Sequence, residues 1–243
     1  MAKRIKGKCK FCGKEYTLSY MKKHLPECEA RRIQLAGEKE ATQCGYFDLM
    51  ILPKYFKDYW LFIEVRDTST LKDIDFFLRD IWLECCNHLS DFNINGTHYE
   101  NEPIDDLCSP FPPKSMDYKL NTIWKKDMTI EYRYDFGSTT TLLINVMDHR
   151  IGPVKKETLT ILSRNNPYVY QCSECGKKTA VALCAECAWT GENFLCDDCC
   201  KTHKCGEYML LDICNSPRMG VCGYCGSKIY PDQFMSDVEE SGS

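Results

Sequence analysis

Three Cys-x2-Cys pairs recur every twelve residues late in this chain: Cys172/Cys175, Cys184/Cys187 and Cys196/Cys199, with His203 and Cys205 close behind. Two thiols on one tight turn supply half of a tetrahedral thiolate site, so this segment must fold around metal ions or not at all. A disulfide framework would suit a secreted chain. Here the start, MAKRIKGKCKFC, is basic and has no apolar signal-peptide core, and no run of eighteen apolar residues follows. A cytoplasmic protein with reduced thiols is expected, and no membrane partner.

The knuckles can be paired in two ways. In a cross-braced pattern Cys172, Cys175, Cys196 and Cys199 hold one zinc, and Cys184, Cys187, His203 and either Cys205 or Cys222 hold another. In a sequential pattern the first two knuckles share an ion, and Cys196, Cys199, His203 and Cys205 share the next. The string resembles B-box and related treble-clef modules, which implies cross-bracing. Cys200 reads as a spare thiol. Cys222-x2-Cys225 is a further knuckle that could combine with Cys205 and Cys214. Each set can be filled by four protein ligands, and closed sets of this kind are structural, because catalytic zinc keeps a position for water. Glu174, Glu186, Glu192, Asp197, Asp198 and Glu207 make the segment suit a protein partner better than phosphate.

A second metal signal opens the chain. CKFCGKEYTLSYMKKHLPEC places Cys9 and Cys12 on a knuckle, then His24 and Cys28 about one helical turn apart. Gly13 suits the turn after the knuckle, and Thr17 is positioned to cap a helix. Leu18, Met21 and Leu25 recur at helical spacing, to pack on Phe11 and Tyr16. Pro26 should end that helix near Leu25, leaving Cys28 on a turn. The segment resembles a Cys-Cys-His-Cys zinc finger of the ββα kind. Three zinc ions are expected in all, and four if the last cysteines form a site of their own.

Residues 1–32 carry ten Lys or Arg against three Glu, a net of +7, although the whole chain is at −4. A basic surface of this kind favours phosphate backbones, with Lys8, Lys10, Lys14, Lys22 and Lys23 as the candidate contacts. The last twelve residues hold four acids and no base, which reads as a solvated tail.

Between these ends the texture changes. DYWLFIEVRD reads as a strand. TSTLKDIDFFLRDIWLECC reads as an amphipathic helix, with Leu71, Ile74, Phe77, Leu78, Ile81 and Trp82 on one face and Thr68, Ser69 or Thr70 as its cap. DFNINGTHYE reads as a hairpin turning at Asn95-Gly96. MTIEYRYDFG, TTTLLINVMDH and ETLTILSR supply three more strands. Cys44, Cys85, Cys86 and Cys108 read as core or incidental thiols. This order predicts an α+β domain, an antiparallel sheet with a helix on one face, with Trp60, Trp82 and Trp124 in its core. The expected divisions are a finger over 1–32, a linker over 33–44, the α+β domain over 45–166, a zinc module over 167–230 and an acidic tail over 231–243.

WLFIEVRDTSTLKDIDFFLRDIW, HLSDFNINGTHYE and YRYDFG together resemble the Ri-plasmid ORF-3-like family, whose members are often labelled as passenger proteins of insertion sequences. The resemblance implies an α+β fold and no established activity. Family members commonly follow the Tyr132–Gly137 motif with an acid and a tryptophan; Ser138, Thr139 and Thr140 stand here instead. Asp135-Phe136-Gly137 is not a kinase motif, since no Gly-rich loop, strand lysine or catalytic loop accompanies it.

The expected function is a non-catalytic zinc protein, with nucleic acid on the basic finger and a protein partner on the C-terminal module. The alternative is an enzyme with a pocket near Asp135, in which His88, Asp91, His98, Asp135 and His149 would converge.

Overall fold

The computed structural model describes residues 5–36, 42–103, 111–191 and 193–230. Cys108 and the acidic tail lie outside the described residues. The chain forms two compact units. The first runs to Phe77 and resumes over Leu89–Asn166; the second holds Leu78–His88 and the chain from Pro167.

The first unit is α+β. Its strands are β1 (Lys6–Lys8), β2 (Glu15–Thr17), β3 (Gln43–Pro53), β4 (Leu61–Arg66), β5 (Ser90–Ile94), β6 (Thr97–Glu100), β7 (Lys114–Ser115), β8 (Thr129–Tyr134), β9 (Thr140–Pro153) and β10 (Leu159–Arg164). β1 and β2 form a hairpin, and the other eight form one sheet in the order β10-β4-β3-β9-β8-β5-β6-β7. Every neighbouring pair in that sheet is antiparallel except β6 and β7. β8 alternates as TIEYRY should, burying Ile130, Tyr132 and Tyr134. The hairpin between β5 and β6 turns at Asn95 and Gly96 with φ of 51° and 84°, the left-handed pair that a two-residue turn requires.

Helix α3 (Leu71–Leu78) is capped by Thr70 alone among the three candidates. The Thr70 hydroxyl accepts from the Asp73 N–H at 3.2 Å, and the Asp73 carboxylate accepts from the Thr70 N–H at 2.7 Å. Asp75 on this helix accepts from Ser90 Oγ at 2.6 Å and from Tyr132 Oη at 2.7 Å, which pins the helix to the face formed by β5 and β8.

β3 falls partly in the stretch read as linker and was not expected as a strand. Its apolar run does not alternate because both faces are covered, and a doubly buried strand loses the period-two signal. Phe47, Leu49 and Ile51 are buried, and so is Leu52, which belongs with Trp60, Phe62 and Leu162 to a cluster completed by finger residues Met21 and Leu25. The finger therefore lies against the sheet. Helix α1 (Leu18–Glu27) runs two residues beyond the expected stop, because Pro26 in a last turn forfeits only one backbone bond; Cys28 follows at the C-cap. Helix α2 (Glu29–Ala36) then occupies the start of the expected linker.

Backbone bonds seal this contact. Lys10 N–H donates to Leu162 O and Asn166 N–H to Lys6 O, and Ser163 Oγ donates to Lys8 O. Gly7 has no room for a side chain: a Cβ there would stand 2.0 Å from Arg164 O and 2.6 Å from the Trp60 ring. Arg31, expected on the basic surface, is buried instead. It reaches Asp48 at 2.6 Å and Glu64 at 3.3 Å; Glu64 also pairs with Arg150 and, at 2.5 Å, with Lys155. Burial pushes the Asp48 carboxyl up despite Arg31. Burial also opposes the Glu64 charge, but Arg150 and Lys155 outweigh it and hold its pKa below the ordinary value. Glu64 is thus the acid that keeps its charge as pH falls.

After the short helix α4 (Leu120–Ile123) of the first unit, the second unit contains β11 (Ala182–Cys184), β12 (Phe194–Leu195) and β13 (Leu210–Asp212), a small antiparallel sheet with β11 central, and helix α5 (Asp197–Thr202). Its core includes Trp82, which the sequence placed in the middle domain. Arg79–Leu83 is a π-helical turn, with Glu84 N–H bonded to Arg79 O. The carbonyls of Ile81 and Trp82 accept from Tyr224 Oη at 3.4 Å and Ser216 Oγ at 2.6 Å, and Trp82 Nε1 donates to Asn215 O at 3.1 Å.

Replacing Glu64 by Gln leaves Arg31, Arg150 and Lys155 around a neutral group. The expected cost is about 3–5 kcal/mol, read as a fall in the urea midpoint of the first unit. Since the Glu64 pKa is depressed, its stabilisation is full above its unfolded pKa and fades as pH falls through the folded value. Equal midpoints for wild type and Glu64→Gln at neutral pH would refute this account.

Candidate metal centres

Four groups of Cys and His bring their ligand atoms within 4.8 Å of one another among the described residues. Each can hold a metal ion. They are Cys9, Cys12, His24 and Cys28; Cys172, Cys175, Cys196 and Cys199; Cys184, Cys187, His203 and Cys205; and Cys85, Cys86, His88 and Cys222.

The first group lies in the finger. Gly13, with φ of 69°, donates its N–H to Cys9 O at 2.9 Å and closes the knuckle. α1 carries His24 and delivers Cys28 from its C-cap. Tyr16 stacks on the His24 ring with centroids 4.3 Å apart, fixing its plane. Burial, reinforced by Lys14, lowers the His24 pKa, so the ring is neutral as a ligand must be.

The second and third groups interleave along the chain, as the cross-braced pattern requires. Gly176 repeats the role of Gly13, with φ of 63° and a 2.9 Å bond to Cys172 O. α5 links the two sites: Cys196 precedes it and Cys199 lies within it, both facing the first site, while His203 at its C-cap faces the second. His203 Nδ1 lies 3.9 Å from a Glu174 oxygen, beyond hydrogen-bond reach. Cys205 completes the second site.

The donor sets fit a tetrahedral ion. With metal–sulfur bonds of ~2.3 Å, two sulfurs stand ~3.8 Å apart and a sulfur and a ring nitrogen ~3.5 Å apart. Cys9 and Cys28 are 3.9 Å apart, Cys175 and Cys196 3.9 Å, and Cys187 and Cys205 3.8 Å. Cys12 stands 3.3 Å from His24 Nε2, and Cys187 stands 3.5 Å from His203 Nε2. These separations are far longer than a disulfide.

Without a cation the thiols of one group cannot all ionise. Burial pushes Cys9 up to about 12. Burial opposes ionisation of Cys172 too, but backbone N–H groups of Cys175, Cys196 and Glu174 draw it down to about 6, while Cys199 in the same group is pushed up, chiefly by burial. In the other site Cys184 falls to about 7 against burial, helped by the Cys187 N–H, and Cys187 rises to about 12 beside Cys184 and Cys205. A dication removes this conflict and displaces the protons.

The remaining candidates fall as follows. Cys222 does not enter the Cys184 site; it stands with Cys85 and Cys86, expected as core or incidental thiols, and with His88, expected in the acid–base set near Asp135. The signal missed was the compact Cys-Cys-x-His cluster at the end of the α3 segment, whose partner lies over a hundred residues away. Cys200, Cys214 and Cys225 join no group among the described residues. Lys8, Lys10, Lys14, Lys22 and Lys23 are all exposed on the finger.

The acid–base set expected near Asp135 is dispersed. Buried Asp91 is taken by Arg133, at 2.8 and 2.6 Å, and by His98 Nδ1 at 2.6 Å. His149 Nε2 meets Asp67 at 3.0 Å, and His88 Nε2 meets Cys222 Sγ at 3.4 Å. Asp135 is buried, with φ of 63°, and accepts from Gly137 N–H at 2.9 Å. A cavity of about 270 Å³ lies elsewhere in the first unit, between α1, α2 and the sheet; Lys22, Arg32, Lys126 and Arg150 line it, and none of those five residues does.

No family model matches this chain, and no curated protein matches it. Among solved structures it is similar to the crystal structure of a protein of unknown function, MM3350 from Methanosarcina mazei Go1. The identity is 21%, over 50% of this chain and 68% of that one, with a TM-score of 0.39. No helix among the described residues is long and apolar enough to cross a membrane.

Cross-bracing has a direct consequence for metal counts. Cys172 and Cys196 belong to one group, so the double substitution Cys172→Ser/Cys196→Ser should cost the loaded protein a single ion in native mass spectrometry. Release of two would restore the sequential pairing.

Proposed function

We propose that this is a non-catalytic zinc protein. Three structural zinc ions, on the Cys9, Cys172 and Cys184 groups, set a scaffold whose finger holds nucleic-acid phosphates. The residues support zinc because mixed thiolate and imidazole sets with four protein donors suit it, and they leave no position for a reacting water.

The observation that carries the binding role is the lysine face. Lys8, Lys10, Lys14, Lys22 and Lys23 are exposed on a finger seated against the sheet. Ordered cations lose less freedom on meeting phosphates than cations on a loose arm. α1 offers Ser19, Tyr20, Lys22 and Lys23 outward, too few groups for base readout, so the contact is with the backbone and is indifferent to sequence. The acidic second unit then serves a protein partner. The likeness of the middle segment to the ORF-3-like family belongs to this reading.

Deleting the finger would strip the cover from Trp60 and Phe62, so the test must change charge alone. The Lys8→Gln/Lys10→Gln/Lys14→Gln protein should keep its zinc. Its affinity for labelled DNA and RNA should fall, and the slope of log K against log salt should flatten by roughly 2 to 3. No binding by the wild type at low salt would overturn the nucleic-acid role and leave the partner-binding role to be sought on the second unit.

A further inference from the structure

The fourth group differs from the other three in a way that defines its use. Each of the others contains at least one buried cysteine, whereas Cys86 and Cys222 are exposed and Cys85 and His88 only half-buried. Its distances are nonetheless those of a metal site: Cys86 and Cys222 sulfurs are 3.9 Å apart, and His88 Nε2 is 3.4 Å from Cys222 Sγ. We propose that Cys85, Cys86, His88 and Cys222 form a fourth zinc site, open to solvent, that exchanges its ion independently of the three closed ones.

Three further observations support it. First, the backbone is bent to make the group. Cys222 has φ of 51° and Asn87, between two of the ligands, φ of 55°. Asparagine takes up left-handed backbone readily, but at a cysteine it is disfavoured and persists where the surroundings impose it. Second, the loop is held in advance. Arg79 donates to Glu84 at 2.8 Å and to His88 O at 2.6 Å, and Glu84 accepts from Asn87 N–H at 2.5 Å. Third, charge is balanced. Three thiolates and a neutral imidazole on a dication leave one negative charge. Arg218, fully buried, places Nη2 at 3.5 Å from Cys85 Sγ. A guanidinium at that distance offsets the excess charge of the loaded site. Cys225 turns away, with its thiol directed at Gly223 O at 3.2 Å.

The site spans 134 residues of chain between His88 and Cys222. An ion there clasps Leu78–His88 to the knuckle after Val221 within the second unit. Zinc is the class of ion that the three-thiolate, one-imidazole set takes, and the exposed face gives a competing thiol or chelator a path to it.

The test uses the full-length, zinc-loaded, reduced protein and a colorimetric zinc chelator. Four ions should be counted, leaving in a fast phase of one equivalent and a slower phase of three. Cys222→Ser should retain three ions and lose the fast phase. Should that variant not fold, iodoacetamide labelling of the wild type serves instead. Cys86 and Cys222 should be protected at full loading and modified once the first equivalent is gone. The proposal fails if the wild type holds only three ions, if Cys222→Ser keeps the fast phase, or if a Cys86–Cys222 disulfide accompanies three bound ions. A defect in the closed sites reads differently, as a shortened slow phase with the fast one intact.

Discussion

Sulfur and nitrogen donors packed within a few ångströms resist one another unless a cation stands among them. The second unit has only a small core around Trp82 and Tyr224 besides its ligand groups. Its strands are two or three residues long and α5 has six residues. Elements this short cannot bury the apolar surface that usually offsets chain entropy. The knuckles supplement that core, and α5, with Cys196 and Cys199 of one group before and within it and His203 of the next at its end, joins the two groups.

The finger meets the same constraint with a different answer. An isolated ββα unit depends on its ion alone, but here Met21 and Leu25 are buried with Trp60, Phe62 and Leu162. Burial of two such side chains contributes on the order of 3–6 kcal/mol. The Arg31–Glu64 cluster adds direction to that contact, because charges taken out of water tolerate few arrangements. Ligand group, apolar contact and buried charge thus meet on one element, and its exposed lysines inherit the rigidity.

Much of this was legible in the sequence because ligand spacing is local. Cys-x2-Cys pairs, a cap within Thr68–Thr70 and the Asn95-Gly96 turn each lie within a few residues, where stereochemistry alone decides. What escaped was long-range. β3 did not alternate because the finger covers its second face. Arg31 looked like surface charge because its partners Asp48 and Glu64 lie on two other strands. Cys85 and Cys86 looked like core thiols because their fourth partner, Cys222, is remote in sequence. Trp82 was placed with the wrong neighbours for the same reason: the apolar stripe runs unbroken from Leu71 to Leu83, and nothing in it marks Leu78 as the change of unit.

That change of unit sets the order in which the protein can be made. Leu78–His88 leaves the ribosome long before Asn215, Ser216 and Tyr224, which receive Trp82 and its neighbouring carbonyls. The first unit has its strands by Arg164, whereas the second must wait for the knuckle at Cys222. A chain cut after Asn166 would not yield two halves that fold; it would leave one with a stranded tryptophan and the other with a vacancy in its core. The second unit is therefore complete only when both of its separated stretches have been made.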